Sequence, residues 1–196
     1  MWPLGHAAVA YLLYSLWTRT TQNGATFRQP GTEGSASIAV VFLLVGSQFP
    51  DLVDKPLAWY LGVLPTGRTL AHSLLFLVPL VLVVVAVTAR HDRLEREYGF
   101  LFGLGAISHV VVDAVPALWG GGDWYHLLWP LTSVEAYESG APSVVDLFVA
   151  SLGDPYFLLE FVLAGIALVV WYRDGRPGLW LLKRTVTRES PTHGDD

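Results

Sequence analysis

Apolar positions dominate the chain in long runs, broken by short polar stretches. The clearest run covers residues 69–89 and contains LLFLVPLVLVVVAV; another covers 155–172 (PYFLLEFVLAGIALVVWY). Each approaches the roughly 20 residues that a bilayer core demands of a helix. Residues 98–118 form a third run of that length, although it carries Ser108, His109 and Asp113. Two shorter runs, 3–17 and 35–50, complete a set of about five predicted membrane helices. A further apolar piece, 143–152, is too short to cross and is expected at an interface. The pattern predicts an all-α, multi-pass transmembrane bundle. Residues 1–172 form one membrane-embedded domain, and 173–196 form a polar tail.

Composition sharpens that reading. Of 196 residues, 53% are apolar and only 15% are charged, against about 25% charged in soluble domains. There is no cysteine, so any metal must be held by His, Asp or Glu. The net charge of −5 speaks against nucleic acid as a partner. No basic region opens the chain, so no secretory signal is expected.

Lysine and arginine set the orientation. With five helices and a cytoplasmic C-terminus, Arg19, Arg28, Arg90, Arg93, Arg96, Arg173, Arg176, Lys183, Arg184 and Arg188 fall inside. Only Lys55 and Arg68 fall outside. The expectation is a cell-membrane protein with an extracytoplasmic N-terminus, and with an external 119–154 loop that carries acids, Glu138 among them, and aromatic residues.

On this topology the polar residues of the helices gather at one face. His6 lies near the external end of the first helix, and Asp51 and Asp54 follow Pro50 at the end of the second. His72 and Ser73 open the third, and His109 and Asp113 lie in the external half of the fourth. His109 and Asp113 are spaced i, i+4 on one helix face. Asp51 and Asp54 are spaced i, i+3, with Pro50 able to start a short helix that presents both. Imidazole with carboxylate suits zinc, manganese or iron. Ionisable groups at membrane depth cost several kcal/mol unless paired and by default mark function. The six candidate metal ligands are therefore His6, Asp51, Asp54, His72, His109 and Asp113. Taken singly, each has a plainer reading, such as an interfacial histidine, a solvated cap or a hydrogen-bonded pair. Their coincidence carries the argument.

Weaker signals surround them. Arg68 could clamp an anionic substrate, and His126 in WYHLLWP is a further ligand, a proton shuttle or an interfacial residue. His91 and His193 fall in cytoplasmic segments. Gly99 and Gly103 read as small-residue helix packing. Glu160 has no assignment.

The order of motifs resembles a known family. His6, FPDLVD at 49–54, GRTLAHS at 67–73, SHVVVD at 108–113 and WP at 129–130 are similar to the pattern of the YdjM-type membrane-bound metal-dependent hydrolases. The resemblance spans about residues 5–130. It implies His6, Asp51, Asp54, His72, His109 and Asp113 as metal ligands, with Arg68 and Ser73 as motif residues. The family usually has a histidine where this chain has Gly67, and His126 is the candidate replacement.

The expectation is a membrane-bound metal-dependent hydrolase with a divalent ion, zinc first. The ion would activate a water, Asp54 (or Asp51) would act as general base, and Arg68 would neutralise substrate charge. A lipid or lipid-linked ester or phosphoester suits a site at headgroup level. The alternatives are an ion or proton transporter that uses the same cluster, and a b-type haem protein ligated through His72 and His109.

Overall fold

The computed structural model describes residues 2–21, 33–92, 94–120, 123–136 and 143–179. Arg28, Arg93, Glu138, Lys183, Arg184, Arg188 and His193 lie outside them, as does most of the polar tail. Regular structure among the described residues is entirely helical. In order come α1 (Pro3–Thr21), α2 (Glu33–Trp59), α3 (Leu74–Arg90), α4 (Arg96–Ala114), α5 (Val144–Ser151) and α6 (Pro155–Arg173). Short 3-10 turns follow α4 at Val115–Trp119 and again at Tyr125–Leu128.

Among the described residues, three stretches are long and apolar enough to cross a membrane: Gly34–Trp59, Arg96–Leu118 and Pro155–Arg173. The expected five is therefore loose. α3 is a shorter apolar helix of 17 residues, and α1 ends in the polar Thr18, Arg19 and Thr20.

α4 is the central element and packs on α1, α2 and α3, while α6 packs on α1. Glycines on two faces of α4 allow this. A Cβ on Gly105 would fall 2.2 Å from the Leu43 carbonyl oxygen of α2, and one on Gly46 of α2 would fall 2.1 Å from the Phe102 carbonyl oxygen of α4. The two backbones therefore touch, the mode of packing that lipid-embedded helices favour. On the other face Gly99 lies against the backbone of Val85, and Gly103 against the Val81 side chain, both in α3. The sequence reading of that pair as a packing motif fits the contact.

Two boundaries differ from the expected ones. α2 continues through Pro50 and Pro56 to Trp59, so Asp51 and Asp54 sit in its last turns and not in a separate short helix. Pro50 has no N–H to give the Gly46 carbonyl, a defect of about 3 kcal/mol in an isolated helix. The helix nonetheless continues, and the close packing of Gly46 and Gly105 between α2 and α4 one turn earlier offsets the defect. α3 begins at Leu74, five residues later than the hydropathy suggested. Ser73 caps it by accepting from the Leu75 N–H at 3.2 Å, and residues 69–72 form a bend and turns.

Buried acids fasten both ends of α1 to α6. Glu160, which the sequence left unassigned, accepts from the Trp2 and Gly5 N–H groups at 3.0 and 3.2 Å. It thereby satisfies donors that a helix start leaves open. At the far end Asp174 accepts from the Tyr11 and Ser15 hydroxyls at 2.9 and 2.8 Å and pairs with Arg19 at 2.6 Å. This alternation of direction places the starts of α1, α3 and α6 and the ends of α2 and α4 together. Arg19, Arg90, Arg96 and Arg173 lie at the opposite helix ends.

Candidate metal centre

The end of the bundle that lacks those arginines holds the chemistry. Asp51 is near the end of α2, His72 sits in the turn before α3, and His109 and Asp113 lie one turn apart near the end of α4. One ligand atom from each of these four buried residues lies within 4.8 Å of every other, so the group could hold a metal ion. The Nε2 atoms of His72 and His109 are 3.2 Å apart. Asp51 Oδ1 is 3.7 Å from the first and 3.6 Å from the second. Asp113 Oδ2 is 3.8 and 3.9 Å from them. Donor atoms on a single zinc lie roughly 3–4 Å apart.

The second nitrogen of each histidine has a partner. His72 Nδ1 lies 2.8 Å from Asp54 Oδ2, and His109 Nδ1 lies 2.6 Å from the Ser47 carbonyl oxygen. Each acceptor draws the ring proton to Nδ1 and turns the Nε2 lone pair inward. Two lone pairs and two carboxylate oxygens then face one another, and Asp51 Oδ1 has no hydrogen-bond partner. Four acceptors crowded in a buried space need a cation among them. Without a metal, Arg68 beside Asp113 Oδ2 and Lys55 beside Asp51 Oδ2 supply part of that charge, and a proton on the facing imidazoles supplies the rest. Burial alone would lower the His72 pKa, but the Asp113 and Asp54 carboxylates beside it raise it above its ordinary value.

The other expected ligands stand one step back. Asp54 is fully buried, and its oxygens take the N–H groups of Thr69, Ala71 and His72 at 2.8, 2.8 and 3.2 Å besides the His72 ring. The GRTLAHS segment thus wraps around a single carboxylate. His6 stacks on His109, with ring centroids 3.7 Å apart, and its Nε2 is 3.3 Å from Asp113 Oδ1. Arg68 Nε is 3.0 Å from Asp113 Oδ2. Ser73 caps α3 and also donates to the Trp129 carbonyl at 2.5 Å, tying the 125–131 segment over the site. A Cβ on Gly67 would meet Lys55 and Trp59, so a histidine there would start toward those residues. His126 is buried, with its ring 6.4 Å from that of His72. Burial, and then the His72 and Arg68 charges, lower its pKa.

Two contributors escaped the sequence reading. Lys55 pairs with Asp51 Oδ2 at 2.5 Å, and its i, i+4 spacing from Asp51 was a visible signal. The Ser47 carbonyl left no signal, because every residue carries one. Lys55 and Arg68 were the exceptions in the count of basic residues, and each sits on a carboxylate of the cluster. The haem alternative does not fit. Asp51 and Asp113 oxygens lie 3.6–3.9 Å from both Nε2 atoms, where a porphyrin between two axial histidines would have to pass.

No curated protein and no solved structure matches the chain. A family model does. It is described as YdjM inner membrane protein and matches residues 1–181, from α1 past the end of α6. The match covers every residue of the cluster, and the chain belongs to the YdjM inner membrane protein family.

Proposed function

We propose that the chain is a membrane-bound, metal-dependent hydrolase, with Asp51, His72, His109 and Asp113 holding one divalent ion. The observation that carries this reading is the inward-facing set of four acceptors with both Nδ1 positions engaged. Two imidazoles and two carboxylates suit zinc, and also manganese or iron. Asp113 borders a cavity of about 870 Å3 together with Arg68 and His126, which gives the centre an open side. A divalent ion held there supplies Lewis acidity toward a scissile carbonyl or phosphoryl group. Asp54 and the Ser47 carbonyl orient the two histidines. Asp54, named above as ligand and base, is assigned to orientation, because its oxygens are committed to the His72 ring and three backbone N–H groups. His6 and Arg68 hold Asp113, and Lys55 holds Asp51. Arg68, about half exposed, is placed to neutralise charge on a substrate in the cavity.

The test is chelation of the detergent-purified protein, assayed on chromogenic esters and phosphoesters. Hydrolysis should fall by at least about 100-fold on stripping and return with stoichiometric zinc. Undiminished hydrolysis by the stripped protein overturns the reading.

We also place the metal end of the bundle on the extracytoplasmic side. Arg19, Arg90, Arg96 and Arg173 at the other end support this orientation. The absence of cysteine makes single-site labelling clean. Exposed Ser133, changed by Ser133→Cys, should react with an impermeant maleimide in intact spheroplasts. Reaction only after permeabilisation reverses the orientation.

A further inference from the structure

The cavity beside the cluster has a direction of charge that hydrolysis by itself does not require. Among its lining residues Asp113 and His126 are buried and Arg68 is half exposed beside Asp113, and we take this side as the inner end; Asp123, Tyr125 and Glu135 are exposed, and we take them as the mouth. With a divalent ion among the four acceptors, the Asp51 and Asp113 charges are balanced. Of the charges left over, the Lys55 and Arg68 cations, still beside Asp51 and Asp113, outnumber the Asp54 carboxylate, so the inner end is positive. His126 adds a buried Nε2 with no hydrogen-bond partner. Its Nδ1 is 3.8 Å from Asp123, beyond hydrogen-bond distance, so the Nε2–H tautomer is available to donate to a ligand. The mouth has the opposite character, with two carboxylates and a tyrosine. A simple anion is drawn to the inner end and repelled at the mouth. A ligand with an inner anion and an outer ammonium satisfies both, the ammonium gaining the carboxylates and a cation–π contact.

We propose that the cavity seats the headgroup of a zwitterionic phospholipid, with its phosphate at Arg68 and His126 and its ammonium at Asp123 and Glu135. A cavity of about 870 Å3 holds far more than a bare phosphate. Its surroundings favour a lipid over a free headgroup. The membrane-crossing stretch Arg96–Leu118 ends at it, and Leu131, which lines it, is 78% exposed. The inference rests on the metal-hydrolase reading for the positive inner end.

The experiment measures binding to the full-length, zinc-loaded protein in detergent, by shifts in thermal unfolding. The probes are dioctanoyl phosphatidylethanolamine, dioctanoyl phosphatidylglycerol and soluble glycerophosphoethanolamine. Wild type should bind the ethanolamine lipid about ten-fold tighter than the glycerol lipid. The double variant Asp123→Asn, Glu135→Gln should reduce that preference to within about two-fold, with zinc content unchanged. Single Glu135→Gln, at an exposed position, serves if the double variant folds poorly, and should also narrow the preference. Arg68→Gln should weaken both lipids about ten-fold and keep the preference. Equal binding of the two lipids by wild type, or an undiminished preference in the acid variants, overturns the proposal. Equal affinity for glycerophosphoethanolamine overturns the lipid assignment. Chelator-sensitive stability without headgroup preference defeats this proposal alone. Headgroup preference in a protein that never binds zinc defeats the metal reading alone.

Discussion

His109→Ala is expected to lower zinc affinity by more than about 100-fold, beyond the 10–100-fold typical of losing a group that only supports a ligand. The change removes one of the two facing Nε2 atoms, the bond from Nδ1 to the Ser47 carbonyl and the ring stacked on His6. Asp54→Asn provides the contrast. It leaves all four facing donors in place but removes the charge behind His72 Nδ1, so its loss should stay within that 10–100-fold range. Competition with a chromogenic chelator in detergent ranks the three proteins. Wild-type zinc affinity in His109→Ala would remove the residue from the centre. Equal losses in the two variants would make Asp54 a ligand after all.

Gly105→Ala should produce a large loss of stability, comparable among single-methyl additions to the bundle with that of Gly46→Ala on the facing helix. The new Cβ would lie 2.2 Å from the Leu43 carbonyl oxygen and 2.6 Å from the Ser47 nitrogen. Both are backbone atoms of α2 and have no rotamer to change. Overpacking of this kind costs about 1–3 kcal/mol and sometimes more. The helices must separate, and Ser47 then moves away from His109, so zinc affinity should fall with stability. Gly165→Ala in α6 is the control. A Cβ there meets nothing within 4 Å, so the substitution should be neutral or stabilising by up to about 1 kcal/mol. Thermal unfolding of the three proteins in one detergent checks the order. A Gly105→Ala protein as stable as Gly165→Ala would mean that α2 and α4 are not in backbone contact.

The helices and the gathering of the His and Asp residues at one end of the bundle were legible because both follow from the lengths of the apolar runs and their alternating direction. The boundaries at Pro50 and Ser73 were not. Local rules break a helix at Pro50, whereas tertiary packing through Gly46 carries it on. Hydropathy extends α3 back to Thr69, whereas Asp54 ties 69–72 into a bend and turns. Spacing could nominate six ligand candidates but could not rank them. Rank depends on which way each oxygen and nitrogen points, and that is decided by partners remote in sequence, such as Ser47 for His109. Glu160 was unassignable for the same reason, because its partners are backbone N–H groups at the start of α1.

The pairing of Lys55 with Asp51 and of Arg68 with Asp113 bears on the order of assembly. A lone carboxylate is costly to bring into lipid, and the cluster carboxylates each have a cation beside them. The apoprotein can therefore be inserted, threaded and packed as near-neutral couples with no ion present. On the proposed reading, loading is then a late maturation step at a finished surface. With the site on the extracytoplasmic side, as proposed, the ion need not accompany the chain through its biogenesis.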